Sequence, residues 1–256
     1  PFDDFYFWQF WHLILYYHFK KIMTQNLQQN RSFVENVFST VFERYDVMND
    51  LMSFGMHRRW KQRLLNIMRP SNDQSLIDVG CGTGDICELF YKHTSNETKI
   101  LAVDPNINMI EKCRKRLGHL KNLELKICNG EKLKVKDNSF DFYTISFGLR
   151  NTADIEKTIS EAYRVLRKGG RFFCLEFSKI DNENLDFVYK QYSRIIPSIG
   201  KYVVGDSRPY EYLIKSIENF VNQEELLDVL KSKNFKNCNY VNLNGGIVAI
   251  HYGWKI

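Results

Sequence analysis

The chain has 256 residues, 44% hydrophobic and 14% aromatic, which excludes a disordered protein and fits one domain with a substantial core. Its formal charge of +6 comes from 36 basic and 30 acidic residues scattered among one another, a solvated surface rather than a nucleic-acid footprint. The six cysteines form no C-x-x-C and no histidines pair at ligand spacing, which argues against a metal site and suits a reducing compartment.

Residues 1–22 are dense in aromatics, with Trp8, Trp11, His12 and His18 among them. The stretch is short for a bilayer span and has no small-residue cleavage site. It reads as an extension outside the functional fold, with an aromatic anchor at a membrane interface as the alternative. Met23 opens a polar segment, and 23–256 reads as a single domain. Residues 31–70 form an N-terminal helical cap, with Val34, Val37, Phe38, Val41 and Phe42 on one face. Tyr45 to Trp60 mixes apolar, aromatic and hydroxyl groups, as a lid over a substrate pocket would. The alternative is a helix-turn-helix packed on the core through Met48, Leu51 and Met52.

From Ser75 strands alternate with helices. Strands are predicted at 75–79, 99–104, 123–128, 140–147 and 171–177, and helices at 85–94, 106–117 and 154–166. This is a doubly wound α/β sheet, which binds ligands at the carboxyl ends of its strands. The first strand runs into Gly80, Gly82 and Gly84, which permit positive φ and close approach of a ligand to the backbone. A dinucleotide loop has the spacing G-x-G-x-x-G. Here the third glycine comes one residue early and Asp85 follows, an acid that would repel a pyrophosphate and suits a cationic, amino-acid-like ligand. The block resembles the first motif of class I methyltransferases that use S-adenosylmethionine. Asp104 ends the second strand twenty residues past Gly84, where a carboxylate accepts bonds from ribose hydroxyls; a helix cap before Asn106 is its alternative.

Asn129 and Gly130 follow the third strand, either to read an adenine edge or as a plain turn. The fourth strand ends at Ser146-Phe147-Gly148-Leu149-Arg150-Asn151, a polar cluster where substrate chemistry belongs, or else a cap for the next helix. Lys168-Gly169-Gly170 is expected to end that helix with a left-handed cap. Residues 178–216, rich in tyrosine and aliphatic groups, read as a cover over a greasy substrate or as a structural helical hairpin. A helix at 223–234 and strands at 237–243 and 246–252, joined through Asn244-Gly245-Gly246, complete the sheet with an antiparallel hairpin.

From about Arg31 onward the chain resembles the UbiE family of ubiquinone/menaquinone biosynthesis C-methyltransferases. Tyr45 to Gly55, Gly82 to Asp85, Ile145 to Asn151, Leu175 to Lys179 and Gly246 to His251 carry the resemblance. It implies S-adenosylmethionine contacts from Thr83, Asp104, Asn129, Gly130 and Ser146, with Tyr45, Arg150 and Asn151 at a prenylated hydroquinone. On that basis Arg150 steadies a phenolate, a water takes the proton, and Asn151 and Tyr45 orient water and hydroxyl. His57 is a spare candidate base, with a structural role as the alternative. Gly130 stands where alanine is usual, Lys134 where proline is usual, and Lys168 where a Pro-Gly-Gly has proline. The resemblance also implies a cytoplasmic protein, peripheral at the inner membrane face or on the matrix side in a eukaryote. It is compatible with a homodimer or a quinone-biosynthesis complex, without metal or nucleic acid.

Overall fold

Every residue of β1 (Leu76–Val79) is buried, which places it at the centre of a sheet covered on both faces. It holds that place in this computed structural model, which describes residues 50, 53, 55–94, 97–204 and 207–256. The 1–22 extension, Tyr45 and most of the predicted cap lie outside the described residues. β1 pairs in parallel with β2 (Ile100–Asp104) and β4 (Phe140–Ser146), with Val79 opposite Val103 and Ile145. β3 (Leu123–Ile127), β5 (Leu166–Phe177), β6 (Lys236–Leu243) and β7 (Val248–Trp254) extend the sheet to the order β3-β2-β1-β4-β5-β7-β6. β7 is antiparallel to both neighbours, and the 244–246 turn makes the expected hairpin.

Alternation along β1 divides the core. Leu76 faces one layer, with α1 (His57–Met68), α2 (Asp85–His93) and α3 (Ile107–Leu117). α5 (Glu183–Val204) and α6 (Arg208–Glu218) also contribute to that layer, through Ile196, Tyr210 and Leu213. Ile77 and Val79 face α4 (Ile155–Val165) and α7 (Gln223–Ser232). On α1, Leu64, Leu65 and Met68 are wholly buried, each contributing about 1.5–3 kcal/mol. Trp60 on the same helix donates from Nε1 to Asn244 Oδ1 at 2.6 Å, tying α1 to the final hairpin. Among the described residues no helix is long and apolar enough to cross a membrane.

One local expectation fails. α4 ends at Val165, and Leu166 is already extended and paired with Phe140. Gly169 takes φ +80° inside β5, where the register shifts, and its N–H donates to the Lys255 carbonyl at 2.6 Å. The two glycines therefore shape a bulge rather than a helix cap. Burial of Leu166 in the sheet outweighs the helical periodicity.

Candidate functional site

The chain order reverses between β1 and β4, so the loops leaving their carboxyl ends open a crevice there. Gly80, Gly82 and Gly84 all have positive φ, at +66°, +54° and +89°. Gly84 has no room for a methyl, which would stand 2.6 Å from Leu117 Cδ1 and 2.7 Å from Cys113 Sγ. Gly82 is different: nothing lies within 4 Å of where its Cβ would be. Across the crevice Ser146 Oγ is buried with no hydrogen-bond partner. Asp104 is buried beside the loop, its two oxygens accepting the Gly82 and Asn106 N–H groups at 2.9 Å. Each oxygen keeps a further lone pair. Asn106 in turn caps α3, so Asp104 positions the helix and keeps capacity for a ligand.

Three acids lie close to the glycine turn. Burial pushes Asp104 up to about 6, opposed by its two N–H donors. It pushes Asp78, which accepts from the Thr144 hydroxyl at 2.7 Å and from the Cys87 thiol, up to about 7. Asp85 is answered within the protein. Lys61 binds it at 2.6 Å and Arg116 pairs with it as well. Burial alone would raise its carboxyl, but the two cations hold it well below the usual range. The repulsion that the sequence assigned to Asp85 is thus largely cancelled, and Asp104 is the carboxylate left with capacity for a ligand. Arg116 also bonds the Thr83 hydroxyl and carbonyl at 3.3 Å.

At the end of β4, Phe147 is held at φ +56°, a strained setting for a bulky residue. Its ring packs on Phe177 and Trp60. Its carbonyl accepts from Arg150 at 2.8 Å and from the Asn151 amide at 3.5 Å. Arg150 is not solvated: it forms a 2.6 Å ion pair with Glu176, the two side chains 4% and 1% exposed. Burial raises the Glu176 carboxyl even against the pull of Arg150. From α6, Tyr212 donates to Asn151 Oδ1 at 2.9 Å, and Ser216 Oγ accepts from Arg150 Nε at 3.3 Å. Asp154, not Asn151 or Thr152, caps α4. A cavity of about 810 Å³ lined by Lys99, Lys126, Lys134 and Arg164 lies at the amino ends of β2 and β4, away from this cluster.

Residues 23–255 match the ubiE/COQ5 methyltransferase family. The chain belongs to this family. The ubiquinone/menaquinone biosynthesis C-methyltransferase UbiE of Rickettsia bellii is 43% identical over 245 residues, covering 93% of this chain and 97% of the relative. The enzyme of that name from Brucella abortus is 43% identical over 234 residues, covering 89% and 87%. The fold is similar to a methyltransferase from Thermotoga maritima described as a possible histamine N-methyltransferase (TM-score 0.60, 21% identity, covering 86% and 99%). It is also similar to Haemonchus contortus phosphoethanolamine N-methyltransferase 2, solved with S-adenosylhomocysteine (TM-score 0.58, 14% identity, covering 76% and 52%).

This ubiE/COQ5 member takes its methyl group from S-adenosylmethionine, and the crevice fits that donor. The orphaned Ser146 hydroxyl, the space before Gly82 and the Asp104 carboxylate suit a ligand that carries hydroxyls and no phosphate. Gly130 is buried between Val79 and Thr158, each 3.2 Å from where a methyl would stand, so the family's usual alanine would need a small shift here. Asn129 lies beside it, half-buried. Sequence reasoning missed Asp78, Glu176 and Tyr212. The first two carried a signal, an acid inside an apolar strand; Tyr212 carried none, because only the packing of α6 brings it to Asn151.

Proposed function

We infer that the protein methylates a ring carbon of a prenylated hydroquinone in ubiquinone or menaquinone biosynthesis. The observation that carries this reading is the joining of the two halves of the site. The Ser146–Asn151 segment follows the donor crevice directly, and α6 closes on it through Tyr212 and Ser216. S-adenosylmethionine supplies a methyl group already activated by its sulfonium. The protein's task is mainly to hold the acceptor carbon in line. Thr83, Asp104, Asn129, Gly130 and Ser146 hold the donor. Asn151, steadied by Tyr212, orients a ring hydroxyl, together with Tyr45. Arg150 shares its charge with Glu176, so it lends a phenolate a residual positive field and fixes the Phe147 carbonyl.

Residues 178–216 cover the acceptor within the single domain 23–256. α5 exposes Val188, Ile195 and Tyr202 at seven-residue intervals, with Phe187 beside them. That stripe supports a peripheral membrane position from which a lipid-soluble quinol enters, and it is equally available to a second subunit. The test is methyl transfer from labelled S-adenosylmethionine to reduced short-tail benzoquinol and demethylmenaquinol, offered side by side. Label in either lipid product supports the reading and names the pathway. Bound donor with neither quinol labelled under reducing conditions refutes it. Val188→Glu with Ile195→Glu is expected to abolish flotation with vesicles while sparing turnover of a water-soluble quinol.

A further inference from the structure

Methylating a hydroquinone carbon is faster when a phenolic hydroxyl gives up its proton, because the phenolate makes that carbon the stronger nucleophile. Arg150 cannot take it, since a guanidinium offers only donors and this one is committed to Glu176. A neutral base has to come from elsewhere at the carboxyl ends of the strands, and α1 lies there. Its Trp60 packs on Phe147 and Phe177, and its Lys61 binds Asp85 at the start of α2. One turn earlier stands His57, 4% exposed. Its Nε2 lies 3.0 Å from Asp50 Oδ1, whereas its Nδ1 is buried without a hydrogen-bond partner. A carboxylate beside Nε2 keeps the proton on that nitrogen and leaves the lone pair on Nδ1.

The surroundings keep the ring neutral. Burial lowers His57 below the ordinary histidine value; Lys61 and Arg58 act in the same direction, and Asp50 opposes them. Arg58 pairs with Asp50 and holds its carboxyl below the usual range, so the supporting charge persists. Asp85 of α2 stands behind Lys61. Among the described residues the other buried histidine is His251, which also has an unpartnered Nδ1. Its Nε2 bonds the Gln223 carbonyl rather than a carboxylate, and burial lowers it to about 4, too weak for this task.

We propose that His57, oriented by Asp50, is the general base that accepts the phenolic proton of the hydroquinone, directly or through one water. The proposal rests on the substrate reading above. The O–H bond breaks, its electron pair remains on the oxygen and spreads to the ring carbon, and an Nδ1–H bond forms. That carbon bonds the methyl group as the methyl–sulfur bond breaks, the sulfur keeping the electron pair as a neutral thioether; the carbon's hydrogen then leaves to solvent as a proton and the ring regains aromaticity. The imidazolium then returns its proton to the ring oxygen, so each turnover releases one proton.

The experiment is kcat against pH for the full chain, with S-adenosylhomocysteine binding measured in parallel. In the wild type kcat falls on the acid side, below the ordinary histidine value, as His57 becomes protonated. His57→Gln is expected to lower kcat by about 10²–10⁴-fold and to remove that limb, with homocysteine-ligand affinity within twofold. Asp50→Asn, at a half-exposed position, keeps the test open if His57→Gln folds poorly. It is expected to move the limb to lower pH, because imidazolium loses its counter-charge. Retained kcat in His57→Gln, or an acid limb unmoved in both variants, overturns the proposal. A wild type that labels no hydroquinone overturns the substrate reading and the base with it. A wild type that turns over beside unimpaired variants overturns the base alone.

Discussion

Gly82 and Gly84 make a matched pair whose alanine variants should part company. Both glycines have positive φ, so an alanine at either costs about 1–2 kcal/mol in backbone strain. At Gly84 the new methyl also meets Leu117 Cδ1 at 2.6 Å and Cys113 Sγ at 2.7 Å. Overpacking of that kind adds about 1–3 kcal/mol, for a total near 2–5 kcal/mol. In a chain of this size the melting temperature should fall by on the order of 10 °C. At Gly82 the methyl meets nothing within 4 Å, so only the backbone strain remains and melting drops a few degrees. That methyl nevertheless occupies the space assigned to the donor. S-adenosylhomocysteine binding should weaken at least about a hundredfold, roughly 2.8 kcal/mol. Thermal denaturation of the ligand-free protein, followed by titration calorimetry, separates the two effects. If Gly82→Ala binds the ligand within threefold of wild type, the loop does not approach the donor and the reasoning is wrong.

Other outcomes follow from the buried charges. Asp78 binds its proton more tightly in the folded chain, so ligand-free stability should decline as pH rises from its ordinary value of 3.8 to about 7 and then level off. The full span is at most about 4 kcal/mol; Asp78→Asn should flatten it, as melting curves at pH 5 and pH 8 would show. Asp104, raised to about 6, must be ionised to serve a ribose fully, so S-adenosylhomocysteine affinity should fall with pH below that value in calorimetry; Asp104→Asn should lose this dependence. Glu176→Gln leaves Arg150 buried without a counter-charge and should cost about 3–5 kcal/mol in urea denaturation. Replacing both, as Arg150→Met with Glu176→Leu, should cost less. Tyr212→Phe removes one hydrogen bond to Asn151, worth about 1 kcal/mol, so quinol turnover should fall about fivefold with donor binding unchanged.

The sheet was legible because buried parallel strands are continuous apolar runs and the helices between them keep their period. β1, β2 and β4 are found within a residue of their predicted spans. The glycine turn was equally legible, since three alternating glycines serve few other purposes. What stayed hidden depends on side chains meeting across the sheet. Nothing local in the sequence names a counter-ion for Arg150, and only the parallel register of β4 with β5 reveals Glu176 beneath it. Gly169 reads as a helix cap because the bulge that uses it is defined by Lys255, 86 residues away by number, which no local pattern contains. Asp85 looked like a free charge because its partners come from α1 and α3.

The hydrogen bond from Trp60 to Asn244 spans 184 positions of the chain. During synthesis the indole emerges 184 residues ahead of its acceptor. Until the final hairpin leaves the ribosome, the apolar side of α1 has no latch at that end. A nascent chain halted before residue 244 therefore leaves the Trp60 indole N–H without its acceptor. Emergence of the 244–254 hairpin supplies that acceptor, and a change in Trp60 emission reports the moment.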